Sequence, residues 1–231
     1  MASKGSLVCA LLRDRKELRY RKEMAMLKIY GTAHRAFRVI WLANEIGVPF
    51  EHVAGKIGAE DAQCLGLDRN GRASAIEDDG FSMWEPAAII LYLADKYESS
   101  LLASTPQARG RMLQWALFVA NEVEPPLITL LRHRVVFPPE RRSAIIGDHA
   151  EETLRAKLGI LDEQLAKTPF FGGDRWDLAD FLLASALYIL FRSRLKVLLV
   201  SYPKLDAWLN ASINRPGAQM ARKLREGWDT C

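Results

Sequence analysis

Three cysteines, Cys9, Cys64 and Cys231, are the strongest latent nucleophiles in this 231-residue chain. Their spacing gives them no joint chemistry. No two form a CxxC or metal-ligand pair, and an odd number argues against a disulfide framework. Cys64 and Cys231 have no activating neighbours in sequence, so both read as bystanders. A reduced, cytoplasmic setting is expected, with no metal centre. Among the carboxylates, Asp177 and Asp180 stand three residues apart before a long apolar run. That spacing fits reciprocal capping of a helix start, although Asp is shorter than the preferred Glu or Gln. Glu85 precedes Pro86, where a first-turn acid would balance a helix dipole. Arg35 and Arg38 read either as anion ligands or as surface cations.

The elements that must position these residues fall into two groups. Leu27-Lys28-Ile29-Tyr30 is a short strand candidate. From Arg35 to Ile46, apolar residues Val39, Leu42, Ala43 and Ile46 recur at helical spacing, and Gly47 sits at a C-cap position. Pro49 and the run from Phe50 to Ala54 then suggest a second strand. A strand, helix and strand within so few residues make a βαβ unit, so the two strands should be parallel. Residues 58–68 are weakly patterned and leave room for a variable helix. Ala75-Ile76-Glu77 and Phe81-Ser82-Met83-Trp84 flank Asp78-Asp79-Gly80, which reads as a β-hairpin. Pro86 then opens a helix with Ala88, Ile89, Leu91, Tyr92 and Leu93 as its apolar surface.

Past Tyr97 strand signals stop. Ser104-Thr105-Pro106 offers a cap and a first-turn proline. The helix that follows carries Met112, Trp115, Ala116, Val119 and Val123, and Pro125-Pro126 should kink or interrupt it. A second long helix is expected over roughly 139–167, with Leu154, Leu158, Leu161 and Leu165 on one face. Phe181 to Phe191 is apolar all round, which predicts a helix at the centre of a helical domain. Tyr202 to Ser212 and Pro216 to Glu226 read as two final helices.

Charge sits at one end. Residues 1–25 hold seven Lys/Arg and three acids, while the remaining residues hold 25 of each sign. The body is neutral, so a nucleic-acid partner is not expected. The apolar stretch Leu7 to Leu12 precedes the main Arg/Lys cluster, the reverse of a secretory signal. No apolar run reaches the roughly 20 residues of a membrane span, and no membrane partner is expected. Residues 1–25 read as a basic extension, disordered or upstream of a start at Met24 or Met26, with a basic anchoring helix as the alternative.

Four stretches resemble the glutathione transferases. One runs from Gly71-Arg72-Ala73-Ser74-Ala75-Ile76-Glu77-Asp78-Asp79-Gly80-Phe81 through Glu85-Pro86 to Tyr92-Leu93-Ala94-Asp95-Lys96-Tyr97. Arg35 to Leu42 with Asn44 to Glu51 is similar to the family's first helix and second strand. Phe171-Gly172-Gly173-Asp174-Arg175-Trp176 with Asp177-Leu178-Ala179-Asp180 resembles the capping motif of the buried helix in its second domain. Trp115 to Arg134, with Glu122-Val123-Glu124-Pro125-Pro126, resembles a bacterial branch. The resemblance implies a thioredoxin-like α/β domain at residues 26–97, a linker at 98–104, and an all-α helical-bundle domain at 105–231.

The resemblance also implies a site, with departures. A family Ser, Tyr or Cys near the start of the first helix activates the glutathione thiol; here His34 stands at that position, with Thr32 the only nearby hydroxyl. His34 at a helix start would be held neutral; alternatively it faces solvent. The family's cis-proline, whose preceding residue offers backbone groups to the cysteinyl part of glutathione, corresponds to Ser74, preceded by Ala73. The Glu-Ser pair beside the γ-glutamyl group has become Glu85-Pro86, and Pro86 offers neither hydroxyl nor N–H. Arg35 is a candidate anion ligand. Trp115, Phe118 and Val119 are candidates for an apolar co-substrate pocket, or else core. The implied activity is conjugation of glutathione, as co-substrate, to a small hydrophobic electrophile by a homodimer. The alternative is a non-catalytic binding or scaffold protein with an impaired glutathione site.

Overall fold

The computed structural model describes residues 26–31, 34–54 and 74–226. Strand β1 (Leu27–Tyr30) pairs in parallel with β2 (Phe50–Val53) and antiparallel with β3 (Ala75–Asp78), which pairs antiparallel with β4 (Phe81–Trp84). The sheet order is β2-β1-β3-β4. The Asp79-Gly80 turn closes the β3–β4 hairpin, as the Asp-Gly signal predicts. The predicted variable helix at 58–68 lies outside the described residues.

Helix α1 (His34–Glu45) crosses between β1 and β2 and ends at Gly47, whose φ of 71° suits a residue without Cβ. Residues 36–43 of α1 are all buried. A surface helix would bury only one stripe. Here α1 is covered on one side by the sheet and α2 (Pro86–Lys96), and on the other by helices of the second domain.

The second domain is all helical. It comprises α3 (Pro106–Phe118), α4 (Glu124–Leu131), α5 (Ala144–Leu165), α6 (Leu178–Arg192), α7 (Pro203–Ile213) and α8 (Pro216–Glu226). Thr105 caps α3, its Oγ1 accepting from the Ala108 N–H at 3.2 Å. Helix α6 is buried along most of its length, as its continuous apolarity predicts. An unpredicted 3₁₀ segment, Arg194–Ser201, links α6 to α7.

Pro125-Pro126 interrupts the long helix without ending it. Two consecutive prolines remove the N–H groups that would serve the carbonyls of Asn121 and Glu122. The chain responds with a π turn over Val119–Val123, in which the Glu124 N–H reaches back to the Val119 carbonyl. A second π turn, Arg132–Val136, follows α4. Each turn inserts one residue and rotates the face presented downstream. The predicted helix over 139–167 begins later, at Ala144 under a Ser143 cap, preceded by a 3₁₀ turn at Pro139–Arg141.

Candidate functional site

A cavity of about 540 Å³ opens in the seam between the two domains. The first domain contributes His34, Arg35 and Arg38 from α1, with Glu85, Pro86 and Ala87 at the start of α2. The second contributes Ala120, Glu124, Leu127, Ile128, Leu131 and Arg132 from the long interrupted helix, and Ala186 and Ile189 from α6. Two helix N-termini therefore face one cleft, and both favour negative charge.

His34 is half-buried, but its Nε2 is fully buried and lacks a hydrogen-bond partner. The ring lies 6.2 Å from Phe37 and 6.4 Å from Tyr188, both stacked. Burial pushes its pKa well below the usual histidine range, and the guanidiniums of Arg38, Arg225, Arg192 and Arg35 push the same way. The imidazole is thus neutral at pH 7, with one ring nitrogen available as a donor.

Arg35 reaches Glu85, Nη1 to Oε1 at 3.4 Å. Glu85 adopts φ 76° and ψ 110°, a left-handed conformation that costs a non-glycine residue about 1–3 kcal/mol. Its side chain makes no cap to α2, so the carboxylate remains turned toward Arg35 and the cavity. Pro86 is buried at the first helical position. The next N–H groups, of Ala87 and Ala88, belong to the first turn, where a helix supplies no internal acceptor.

Arg38 is not a surface cation. It is 4% exposed, donates from Nε to Ser185 Oγ at 3.1 Å, and from Nη1 to Glu124 Oε1 at 2.6 Å. The first domain is thereby clasped to both α6 and α4. Phe37 stacks on Tyr188 at 4.5 Å beside this clasp.

The structure brings His34, Arg35, Glu85 and Pro86 to one cleft. Ser74 is buried at the entry to β3, while Thr32 and Ala73 lie outside the described residues. Trp115 and Val119 are buried in the helical core, Trp115 packing edge-on against Phe171 at 5.0 Å and Phe118 at 5.7 Å. None of Trp115, Phe118 and Val119 lines the seam. Ala120, Glu124, Leu127, Ile128 and Leu131, on another face of the same helical run, line it instead.

Two polar clusters account for motif residues without chemistry. Asp78 is fully buried and accepts from Tyr92 Oη at 3.1 Å, Tyr97 Oη at 3.0 Å and Lys96 Nζ at 2.8 Å. The Tyr-Leu-Ala-x-Lys-Tyr ending of α2 is thus a grip on the hairpin. Burial, reinforced by the bond to Asp78, pushes Tyr97 up to about 12. Asp180 accepts from the N–H groups of Phe171, Gly172 and Asp177 at 3.1–3.2 Å and from Trp208 Nε1 at 2.8 Å. Asp177 and Asp180 form the predicted reciprocal cap. Burial raises Asp180 to about 6, against the opposing pull of these donors. Among the described residues no His, Cys, Asp or Glu group is arranged to hold a metal, and no helix is long and apolar enough to cross a membrane.

A four-stranded βαβ–ββα sheet domain joined to an all-helical domain, with paired helix starts facing the seam, defines a thioredoxin-like domain carrying a helical partner. Glutathione S-transferase N-terminal and C-terminal domain models match residues 25–95 and 126–216 respectively. The chain belongs to the glutathione S-transferase family. Escherichia coli (strain K12) glutathione S-transferase GstB is 28% identical over 188 residues, covering 79% of this chain and 89% of the relative. Homo sapiens elongation factor 1-gamma is 30% identical over 148 residues, covering 63% of this chain but only 33% of that protein. The solved structure of glutathione S-transferase III in apo form superposes with a TM-score of 0.77 at 26% identity, covering 86% of this chain and 96% of that one. Ure2p5 from Phanerochaete chrysosporium, cocrystallized with 1-(S-glutathionyl)-2,4-dinitrobenzene, has a TM-score of 0.78 at 23% identity, covering 88% and 96%.

Proposed function

We propose that the protein is a glutathione transferase that conjugates glutathione to a small electrophile in the seam cavity. The observation that carries this reading is His34, which lines the cleft beside Arg35 and keeps a buried Nε2 without a hydrogen-bond partner. A thiol of pKa about 8.5 needs a stabilised anion to react at neutral pH. Neutral His34 donates a hydrogen bond from its ring N–H to the glutathione sulfur, and Arg35 adds positive potential. Glu85 pairs with the γ-glutamyl amine, while the α2 N-terminus, through the N–H groups of Ala87 and Ala88, holds the γ-glutamyl carboxylate. Ala73 and Ser74 hold the cysteinyl backbone. Sulfur attacks the electrophilic carbon, the new C–S bond displaces the leaving group with its electron pair, and the thiol proton passes to solvent.

A second reading is a binding protein of the same fold without efficient conjugation. It is favoured by Pro86, which withholds the first N–H of α2 from any anion there. In either reading a homodimer forms through the edge strand β4 and α3, where Phe81, Trp84, Leu113 and Leu117 expose apolar surface.

The test is conjugation of glutathione to an activated aryl halide by the wild type and by His34→Ala, alongside a thermal shift with glutathione. A bound ligand at 100 times its dissociation constant stabilises by about 2.7 kcal/mol. A shift together with turnover that collapses in His34→Ala supports the enzyme. A shift without turnover supports the binding protein, and unchanged turnover in the variant removes His34 from the mechanism.

A further inference from the structure

The seam cavity carries more charge than the glutathione reading uses. Its two carboxylates are each committed to an arginine: Glu85 to Arg35 at 3.4 Å and Glu124 to Arg38 at 2.6 Å. Arg132 is left over. It lines the cavity from the end of α4, and among the described residues no carboxylate pairs with it. A second, more polar recess of about 580 Å³ adjoins the first and shares Arg35, Glu124, Ile128 and Arg132 with it. Thr129 lines this recess three residues before Arg132, on the same helical face. Beside the paired Arg35, Arg38, Glu85 and Glu124, and His34, the cavity wall is largely apolar: Leu127, Ile128 and Leu131, with Ala186 and Ile189 from α6 opposite. The lining thus combines an apolar body with, at its outer end, a hydroxyl and an exposed guanidinium that no carboxylate pairs with among the described residues. The depressed pKa of His34, driven by burial and four surrounding guanidiniums, reports a positive field at the inner end as well.

We propose that the acceptor half of this cavity takes electrophiles bearing a fixed anionic group, a carboxylate or sulfonate, held by Arg132 with Thr129 Oγ1 beside it. The apolar ring or chain of such a molecule lies on Leu127, Leu131 and Ile189, which leaves its reactive carbon facing the His34 side of the cleft. This deepens the transferase reading and rests on it only for the word electrophile; the anion subsite stands on Arg132 alone. A planar guanidinium holds a carboxylate through charge-assisted and potentially paired bonds, and a neutral amide of the same shape gains only the weaker neutral bond.

The test uses the matched pair 4-chloro-3-nitrobenzoate and 4-chloro-3-nitrobenzamide. Dissociation constants are measured calorimetrically on the full chain without glutathione, for the wild type, Arg132→Gln, Arg132→Lys and Thr129→Val. The acid should bind about tenfold more tightly than the amide to the wild type. Arg132→Gln should erase that ratio, Arg132→Lys should restore part of it, and 1 M salt should shrink it. Equal binding of the pair, no binding of either, or an unchanged ratio in Arg132→Gln overturns the proposal. A separate titration with glutathione covers the other source of a carboxylate. If Arg132→Gln weakens glutathione tenfold and leaves the acid-to-amide ratio alone, Arg132 serves the tripeptide and the proposal fails. Turnover with glutathione, releasing chloride as the C–S bond forms, is the last arm. An acid preference without turnover keeps the anion subsite and rejects the transferase. Turnover of both compounds without preference does the reverse.

Discussion

The clasp of Arg38 on Glu124 and Ser185 gives the sharpest stability prediction. Among the described residues Glu124 is the one carboxylate paired with the Arg38 guanidinium, which is 4% exposed, and Glu124→Ala removes it. Breaking a buried pair from one side typically costs about 3–5 kcal/mol, because the remaining charge is stranded. The Glu124 side chain is 28% exposed toward the cavity, so water partly replaces it, and Ser185 still accepts from Nε. We therefore expect a loss of about 2–3 kcal/mol, or a fall in Tm of about 4–12 °C for a chain of this size. The pair Arg38→Met with Glu124→Leu removes both charges and keeps volume, so it should recover to within about 1 kcal/mol of the wild type. Urea unfolding of the two single variants and the double variant closes a double-mutant cycle. A loss below about 0.5 kcal/mol in Glu124→Ala, or a double variant as unstable as the sum of the singles, would refute the clasp.

Other expectations follow from the same geometry. Pro86→Ser returns an N–H and a hydroxyl to the start of α2, and charge-assisted donors of that kind should tighten glutathione binding about tenfold or more, read by calorimetry. Asp180→Ala orphans four N–H donors and should cost about 3 kcal/mol or more in urea unfolding. Because burial raises Asp180 to about 6, the folded state holds its proton more tightly than the unfolded chain between pH about 4 and 6. Its share of stability is greatest below that window and falls as pH rises through it, so the wild-type advantage over Asp180→Asn should shrink by at most about 3 kcal/mol across it. Gly217→Ala would place a Cβ 2.7 Å from the Glu45 backbone and should cost about 1–3 kcal/mol, seen as a lowered Tm.

The sheet was readable because its signals are local: the apolar strand Leu27–Tyr30, the Gly47 stop and the Asp-Gly turn each act over a few residues. The Asp177–Asp180 cap was readable for the same reason. Arg38 was not, because its burial depends on Glu124 and Ser185, respectively 86 and 147 residues away. Trp115, Phe118 and Val119 and the residues that line the seam lie on different faces of one helical run. At 3.6 residues per turn, Trp115, Phe118 and Val119 share one face and Ala120, Glu124, Leu127 and Leu131 another, and spacing alone does not say which of the two the other domain covers. Pro125-Pro126 signals a disturbance of the helix, yet nothing in residue type distinguishes a π insertion from a kink. Arg132 stands out only once Glu85 and Glu124 are seen to be paired elsewhere.

The close approach of Gly217 to Glu45 has a consequence for how the protein is made. Helix α8 lies along α1, and the Arg225 guanidinium sits over the Phe37 ring at 5.4 Å. The helix that carries His34 is therefore finished by residues translated nearly two hundred positions later. During synthesis the sheet domain leaves the ribosome with one flank of α1 uncovered until α8 follows.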